Sequence, residues 1–475
     1  MCPKTNYTPL RLAFLLPFAA VVLATGCTSG SMLNTTTSSA TGPVFVVGTD
    51  APLASVTSFA AQIKSVELTD GSGNTASLIS GTPTVDFARY NGLQSLLDMN
   101  DVPVGTYTGV SITLGTATLG YLNTSTTPPS ITTEAAKLTT STVNIMLNKP
   151  MVVTHAGVPV GLRMDFDLAQ SIQVDSGGNI TGTVNPTFDV RTVARTDNGA
   201  YIDEFVAAVV SVNTSGQSFV VQGPHGEQFA ISVNGQTEWD GNASLSTLNT
   251  SSIVQLSGQL DPADQTLDAD EVAVLSDKGF YASGQITYVT PPTGAATSFD
   301  LYVRGLLPTN TGVQLGQIAQ VNLSGSEIFS IYWMHNPFTQ FLFNSSGLVA
   351  GQAVAIGGPA TGAANPNAVT VNRVSLRNWG FNGTVVAGSQ NTTNGTFQMK
   401  INGFAGVLIP ETVTVYLGAH SDFRYGMGAF GDLSNGVTVR AVGLLLKNPA
   451  NGQVVLLARH VDGTNFTDFS TFIFE

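Results

Sequence analysis

The sequence predicts an all-β protein in which an N-terminal antiparallel β-sandwich is followed by three small β-barrel-like repeats. The first observation is composition: glycine contributes 50 of the 475 residues, and Thr, Val, Asn and Ser are common. This favours short strands joined by tight turns over helices. The second is periodicity, because segments such as Val110 to Leu114 alternate apolar and polar residues as a half-buried strand does. The third is that a similar series of such segments occurs three times after Arg195.

The N-terminus predicts export. Lys4 and Arg11 give a positive start, and the apolar stretch that ends at Thr25 is too short for a bilayer span of about 20 residues. Residues 1–26 therefore predict a signal peptide. Ala24-Thr25-Gly26-Cys27 resembles a bacterial lipobox, so we expect Cys27 to carry the lipid that anchors the protein in the membrane. The alternative is an ordinary secretory peptide cut near Ala24.

Residues 27–42 are expected to be the lipidated cysteine and a flexible spacer, since the sequence from Thr28 is small, polar and uncharged. Thr28, directly after the cysteine, is not aspartate. In many Gram-negative bacteria this favours sorting to the outer membrane. We therefore expect an exported protein that is lipid-anchored in the cell envelope, at the bacterial outer membrane.

Residues 43–195 form the predicted β-sandwich domain. Ile63 to Leu68 alternates as a strand and ends at the turn Asp70 to Gly73. Strands are also predicted at Val143–Leu147 and Leu162–Leu168. Leu93 to Leu97 has apolar residues at helical spacing and predicts one or two turns of helix.

Four segments of this domain resemble one known family. They are Thr49-Asp50-Ala51-Pro52, Val66-Glu67-Leu68, Val102-Pro103-Val104-Gly105-Thr106-Tyr107-Thr108 and Met164-Asp165-Phe166-Asp167-Leu168. In order and spacing they are similar to the domain of unknown function family 4382 of exported bacterial and archaeal lipoproteins. The resemblance implies an antiparallel β-sandwich, and it implies no activity.

Residues 205–276, 280–377 and 379–475 are the predicted β-repeats 1, 2 and 3. Each has a strand hairpin, a single leucine and then a further strand; the leucines are Leu248, Leu348 and Leu433. A period of roughly 75 to 100 residues is that of small domains and not of solenoid units. Five or six alternating strands per unit predict small closed or half-closed barrels. The repeats look like those of the domain of unknown function family 5666, which often accompany such lipoproteins.

An aromatic insertion interrupts the second repeat between Phe329 and Phe343. Tyr332, Trp333, Phe338 and Phe341 are the candidate ligand platform, since exposed aromatic rings can stack on sugars or bind a protein. In the alternative interpretation, Tyr332, Phe338, Phe341 and Phe343 plug the open end of their own barrel.

The sequence predicts no catalytic residues, cofactor or metal site. It contains no HExxH, no G-x-S-x-G and no Walker-type loop, and its five histidines are scattered, each expected at the surface or in a turn. Asp165 and Asp167 are expected on a solvated strand face opposite a buried Phe166. The acidic loop 261–271 could hold calcium, but its residue order favours a charged loop.

Charge and composition limit the partners. The net charge is −13 and no basic stripe is present, which excludes a nucleic-acid partner. The expected partners are the membrane, through the lipid anchor, and an envelope protein or surface polysaccharide. The expected function is a non-enzymatic binding or scaffold module, and the alternative is a carbohydrate-binding or carbohydrate-active surface protein.

Overall fold

The structure is a computed structural model. It describes residues 40–51, 56–89, 94–123, 125–154, 160–176, 180–194, 201–223, 228–240, 243–261, 266–308, 311–331, 341–359, 368–402, 408–409, 412–424, 427–463 and 471–473. Nearly all regular structure in these ranges is β-strand, so the predicted all-β class is confirmed. Residues 1–26, which the sequence predicts to be a signal peptide, and Cys27 lie outside the described residues.

The N-terminal sandwich is built from strands up to residue 194. They are β1 (Thr41–Ala51), β2 (Val56–Asp70), β3 (Thr75–Ser77), β4 (Thr84–Asp86), β5 (Gln94–Pro103), β6 (Gly105–Asn123), β7 (Ser130–Ala135), β8 (Lys137–Leu138), β9 (Thr142–Val153), β10 (Val160–Asp167), β11 (Ile172–Val174), β12 (Ile180–Val184) and β13 (Phe188–Ala194). A 3-10 helix (Phe87–Arg89) follows β4, and the single-turn helix α1 (Leu168–Ser171) follows β10.

Two sheets enclose the core of this domain. One has the order β13-β10-β1-β5, and the other has the order β3-β2-β6-β7, with β4 added on β2 and β9 on β6. A small third sheet pairs β11, β12 and β8. Four phenylalanine rings, those of Phe59, Phe87, Phe166 and Phe188, pack against one another in the core, the first three stacked and Phe188 edge to face. Their buried aromatic area stabilises the packing of the two sheets.

Two local predictions for this domain were wrong. The Leu93–Leu97 segment does not form a helix, because residues from Gln94 onward belong to β5, which pairs with β1. Leucines at helical spacing are also compatible with a strand whose two faces are covered. The sandwich is not antiparallel throughout, since β1 runs parallel to β10. The long chain between β1 and β10 allows the crossover that a parallel pair requires.

The strands of the repeats continue to the C-terminus. The first repeat has β14 (Tyr201–Asn213), β15 (Ser218–Gln222), β16 (Gln228–Ser232), β17 (Glu238–Trp239), β18 (Ile253–Asp261) and β19 (Thr266–Ser276). The second has β20 (Gly279–Thr290), β21 (Ser298–Leu307), β22 (Ile318–Asn322), β23 (Ile328–Ile331), β24 (Ala353–Pro359), β25 (Ala368–Thr370) and β26 (Arg373–Leu376). The third has β27 (Trp379–Val385), β28 (Thr396–Ile401), β29 (Thr412–Arg424), β30 (Thr438–Lys447) and β31 (Val454–Asp462). Finally, β32 (Thr471–Ile473) returns to pair in parallel with β14.

The three repeats share one strand connectivity. In each, the first strand pairs with the second and with the strand that follows the 3-10 turn. The third strand runs parallel to the last in the first and third repeats, and to β25 in the second. The third repeat is a closed barrel, β27-β28-β29-β31-β30. The pairing of β14 with β15 closes the same ring in the first repeat. In the second, the described strands pair in the order β23-β26-β24-β20-β21-β22-β25, and no pairing joins β25 to β26 or β23 to close a ring.

A 3-10 turn and a buried leucine mark the same point in each repeat. The turns are Leu245–Thr247, Ser345–Gly347 and Phe430–Asp432. The leucine that follows is Leu248, Leu348 or Leu433, and all three are buried. The sequence places these leucines at equivalent points of the repeats, and in each repeat the side chain belongs to the hydrophobic core.

Shared hydrophobic clusters join the sandwich and the repeats into one compact unit. Phe45 and Val193 of the sandwich lie in the core of the first repeat. Tyr281 and Leu307 of the second repeat share a cluster with Val206 of the first. The core of the second repeat also includes buried residues of β30 and β31, namely Leu444, Leu446, Val455 and Leu457. The loops and edges of this unit are therefore displayed on a tightly packed body.

Candidate functional site

Packed aromatic side chains hold both ends of the aromatic insertion. On one side, β23 pairs in parallel with β26, and Phe329 points to the core of the second repeat. On the other side, Phe343 is buried, and its ring lies 5.5 Å from that of Phe329 in an edge-to-face arrangement. Edge-to-face pairs of this kind contribute about 0.5–1.5 kcal/mol beyond burial. The two ends of the insertion are thereby fixed against each other.

Apolar side chains next to these anchors are exposed. Ile328 is 58% exposed and Leu342 is 68% exposed, although both directly adjoin packed phenylalanines. Exposure of large apolar side chains beside an aromatic segment is typical of an interaction surface, because leaving them in water is unfavourable. Ile328 and Leu342 are the residues of this region that the sequence analysis did not identify.

Short turns fix the backbone at both ends. Before β23, Glu327 accepts hydrogen bonds from the Ser324 hydroxyl at 2.7 Å and from the Gly325 N–H at 3.1 Å. Partial burial raises the pKa of Glu327, but these bonds outweigh it and hold the pKa below the ordinary value. After the insertion, Asn344 Oδ1 accepts from the N–H groups of Ser346 and Gly347 and caps a 3-10 turn.

Of the four predicted platform residues, the structure describes Phe341. Its ring lies 6.1 Å from that of Tyr416 in the third repeat, edge to face, and the side chain packs against the core of the second repeat. Tyr332, Trp333 and Phe338 lie outside the described residues. The platform and the plug therefore both stay predictions for these three, while Phe341 and Phe343 contact the barrel.

The acidic loop 261–271 is only partly described. Asp268 and Asp270 are exposed, whereas Glu271 is buried in β19 beside the paired strand β18. Residues 262–265, which include Asp264, lie outside the described ranges. Among the residues that the structure describes, no three His, Cys, Asp or Glu side chains are grouped to hold a metal ion.

Asp165 is less exposed than the sequence indicates. Phe166 is fully buried as expected, but the side chain of Asp165 is only 21% exposed and forms an ion pair with Arg163 at 3.0 Å. Burial raises the pKa of Asp165, and Arg163 acts in the opposite direction. Asp167 instead caps α1 by accepting from the Gln170 N–H at 2.9 Å. Asp165 is therefore held in an ion pair within the sheet, and Asp167 is held at a helix cap.

His460 is mostly buried, so the expectation of a surface position was wrong for this residue. Its side chain is 13% exposed, and Nδ1 lies 2.8 Å from Oδ1 of Asp462 on the same strand. Burial lowers the pKa of His460 below its ordinary 6.5, the hydrogen bond with Asp462 raises it, and Arg424 and Arg459 lower it. The spacing His-Val-Asp on one strand could have indicated this pair, because alternate residues share a face.

We expect His460 to make stability depend on pH. Because its pKa is lower in the folded state, the unfolded chain binds the proton more readily once the pH falls below about 6.5. The free energy of unfolding should therefore decrease from pH 7.5 to pH 5.5, and His460→Gln should flatten that slope. Urea unfolding at a series of pH values measures this; an unchanged slope in the variant would contradict the assignment.

The fold and these features define an all-β protein with an N-terminal sandwich and three barrel-like repeats. Residues 41–186 match the family model described as Domain of unknown function (DUF4382). The resemblance of the N-terminal domain to that family, read from its four segments, is thus confirmed. No curated protein matches the chain. Within the described residues, no helix is long and apolar enough to cross a membrane.

Proposed function

We propose that this chain is a non-enzymatic binding module, anchored by a lipid on Cys27 in the bacterial outer membrane. The observation that carries the binding role is the exposure of Ile328 and Leu342 at the two ends of the aromatic insertion. Ile328 and Leu342 directly adjoin the packed rings of Phe329 and Phe343, so these two exposed side chains start from a fixed backbone, which favours affinity. The leader, the lipobox-like Ala24 to Cys27 and the resemblance of the repeats to family 5666 support the envelope location.

The proposed ligand is an envelope protein or a surface polysaccharide. Trp and Tyr are the side chains that most often dominate such interfaces, because each buries a large area with few rotatable bonds. Tyr332 and Trp333 are adjacent in the insertion and are therefore the proposed principal contacts. A carbohydrate ligand would stack on their rings, and a protein ligand would bury them.

The test is a binding comparison between purified wild-type protein and two variants, Tyr332→Ala and Trp333→Ala. The probes are purified surface polysaccharide and detergent-solubilised envelope proteins of the source bacterium. We expect saturable binding to one probe and a loss of about tenfold or more in affinity for each variant. Val210→Ala is the matched control, since Val210 is an exposed apolar residue on the first repeat.

The two probes separate the two ligand classes. Binding to polysaccharide that the variants abolish supports the carbohydrate ligand, and binding to envelope protein supports the scaffold role. If Tyr332→Ala and Trp333→Ala bind the probe with the same affinity as the Val210→Ala control, the hypothesis of an aromatic ligand platform is overturned. Unfolding of the variants, seen by circular dichroism, would instead support the plug interpretation.

A further inference from the structure

Three exposed apolar side chains form a row at one end of the sandwich. Val104 is 43% exposed, Met146 is 76% exposed and Val152 is 54% exposed. We name Val104, Met146 and Val152 the β6–β9 row. Each lies on or next to the paired strands β6 and β9, whose other face is buried in the core of the domain.

These side chains lie on the outer face of the sheet. Thr106 pairs with Val152 and both are exposed, whereas the neighbouring pair of Tyr107 and Met151 is buried. The register then shifts between Tyr107 and Gly109, and Met146, which pairs with Gly109, is again exposed. Val104 precedes Thr106 by two residues and continues the row. Because Gly109 has no side chain, Met146 lies over its backbone, with Sδ only 3.9 Å from where a Cβ would stand.

The row ends where the chain enters the folded body. The Val104 N–H donates to the Ala40 carbonyl at 2.8 Å, and Ala40 is the first described residue. Gly42 lies against the end of β9, since a Cβ there would lie 3.0 Å from Cγ1 of Val153. The body is therefore joined to its N-terminal segment at this end of the sandwich.

We propose that the β6–β9 row rests on the lipid surface in which Cys27 is anchored. The inference rests on the lipid anchor of the proposed function. Residues 28–39 separate Cys27 from Ala40, and a chain of that length spans at most about 45 Å even when fully extended. A tether this short gives an effective concentration on the order of 1 mM. At that effective concentration a small apolar patch contacts the membrane even if its own affinity for lipid is weak.

The charge distribution also favours contact between the β6–β9 row and the membrane. The chain carries a net charge of −13, which repels most of its surface from anionic lipid. Lys149 is exposed on the segment of β9 between Met146 and Val152. A lysine beside apolar side chains suits the boundary between headgroups and acyl chains, where its ammonium meets phosphate. Contact at this face would also orient the repeats and the aromatic insertion reproducibly relative to the membrane.

The experiment measures contact with lipid at single positions of the lipidated, full-length mature protein. It is reconstituted in phosphatidylethanolamine and phosphatidylglycerol vesicles that contain lipid with a nitroxide on the acyl chain. Val152→Cys and Met146→Cys variants carry an environment-sensitive fluorophore. Ile328→Cys is the matched control, because Ile328 is equally apolar and exposed but lies on the second repeat. We expect several-fold stronger quenching at 146 and 152 than at 328.

Flotation of the same samples tests the lipid anchor independently of the membrane contact of the β6–β9 row. Protein that floats with the vesicles while quenching is equal at 146, 152 and 328 keeps the lipid anchor and overturns the membrane contact. A Cys27→Ser variant that floats as well as the wild type overturns the anchor itself. A spectral shift at 152 that rises with protein concentration in the absence of lipid identifies a second copy of the chain as the occupant, and also overturns the proposal.

Discussion

Replacing Arg304 with alanine should lower the free energy of unfolding by about 2–4 kcal/mol. Arg304 is only 3% exposed and lies where the sandwich and two repeats meet. Its Nη1 donates to the Ala88 carbonyl of the sandwich at 3.1 Å, and its Nη2 donates to Oε1 of Gln285 at 3.2 Å. Removing the side chain leaves buried acceptors without these donors, which costs more than the bonds contribute.

Two aromatic rings add to this arrangement. The Arg304 guanidinium carbon lies 5.0 Å from the ring centre of Tyr302 and 5.3 Å from that of Trp379 in the third repeat. A planar, delocalised cation away from water is attracted to both ring faces. Tyr302 itself donates its hydroxyl to the Thr57 carbonyl of the sandwich, and its burial raises the pKa to about 12. Arg304 therefore links the sandwich, the second repeat and the third repeat at one point.

Two further variants test whether stability depends on the planar guanidinium of Arg304 and on its buried position. Arg304→Lys keeps the charge but loses the planar fork, so we expect it to lose nearly as much stability as Arg304→Ala. Arg191→Ala is the matched control, because Arg191 forms a half-exposed ion pair with Asp189 and should cost less than about 1 kcal/mol. The free energies come from urea unfolding. Equal effects of Arg304→Ala and Arg191→Ala would contradict the linking role.

The sequence could indicate the strand that carries Arg304 but not its surroundings. Alternation in Ser298–Leu307 places Leu301 and Val303 on one face and Tyr302 and Arg304 on the other. For an isolated barrel the second face would be solvated, and an arginine there is ordinarily a surface residue. The face is buried because the sandwich covers it, and contacts between distant parts of the chain leave no local pattern.

The repeats were easier to predict because their signals are local. Leu248, Leu348 and Leu433 each follow a short turn and enter a core, so their spacing from the next strand is preserved in the sequence. Exposure of Val152 or Ile328 was not predictable, because an apolar residue in a strand is normally expected to be buried. Surface apolar residues are identified only when the covering elements are known.

Replacing Gly443 with alanine should destabilise the protein by about 3 kcal/mol. In the third repeat the register of β30 and β31 shifts between Val442 and Gly443, so Arg459 is an extra residue opposite them. A Cβ at Gly443 would lie 2.8 Å from Cα of Ala458 and closer still to the Leu457 carbonyl oxygen. These are backbone atoms held in the barrel ladder, and they cannot move without breaking strand pairing.

The first repeat contains the same arrangement, a register shift at a glycine that packs against the backbone of the neighbouring strand. The register of β18 and β19 shifts between Ser257 and Gly258, and a Cβ at Gly258 would lie 2.9 Å from Cα of Ala269. A bulge opposite glycine bends the two strands sharply, which a barrel of only five strands requires in order to close. We therefore expect Gly258→Ala to resemble Gly443→Ala in its effect.

Gly431→Ala is the matched control in the third repeat. A Cβ at Gly431 would have no heavy atom within 4 Å, and its backbone is not left-handed, so the change should be nearly neutral. Urea unfolding of the three variants measures the difference. Because the clash lies between backbone strands, a loss confined to Gly443→Ala and Gly258→Ala is expected. Equal stability of Gly443→Ala and Gly431→Ala would show that barrel closure does not depend on these glycines.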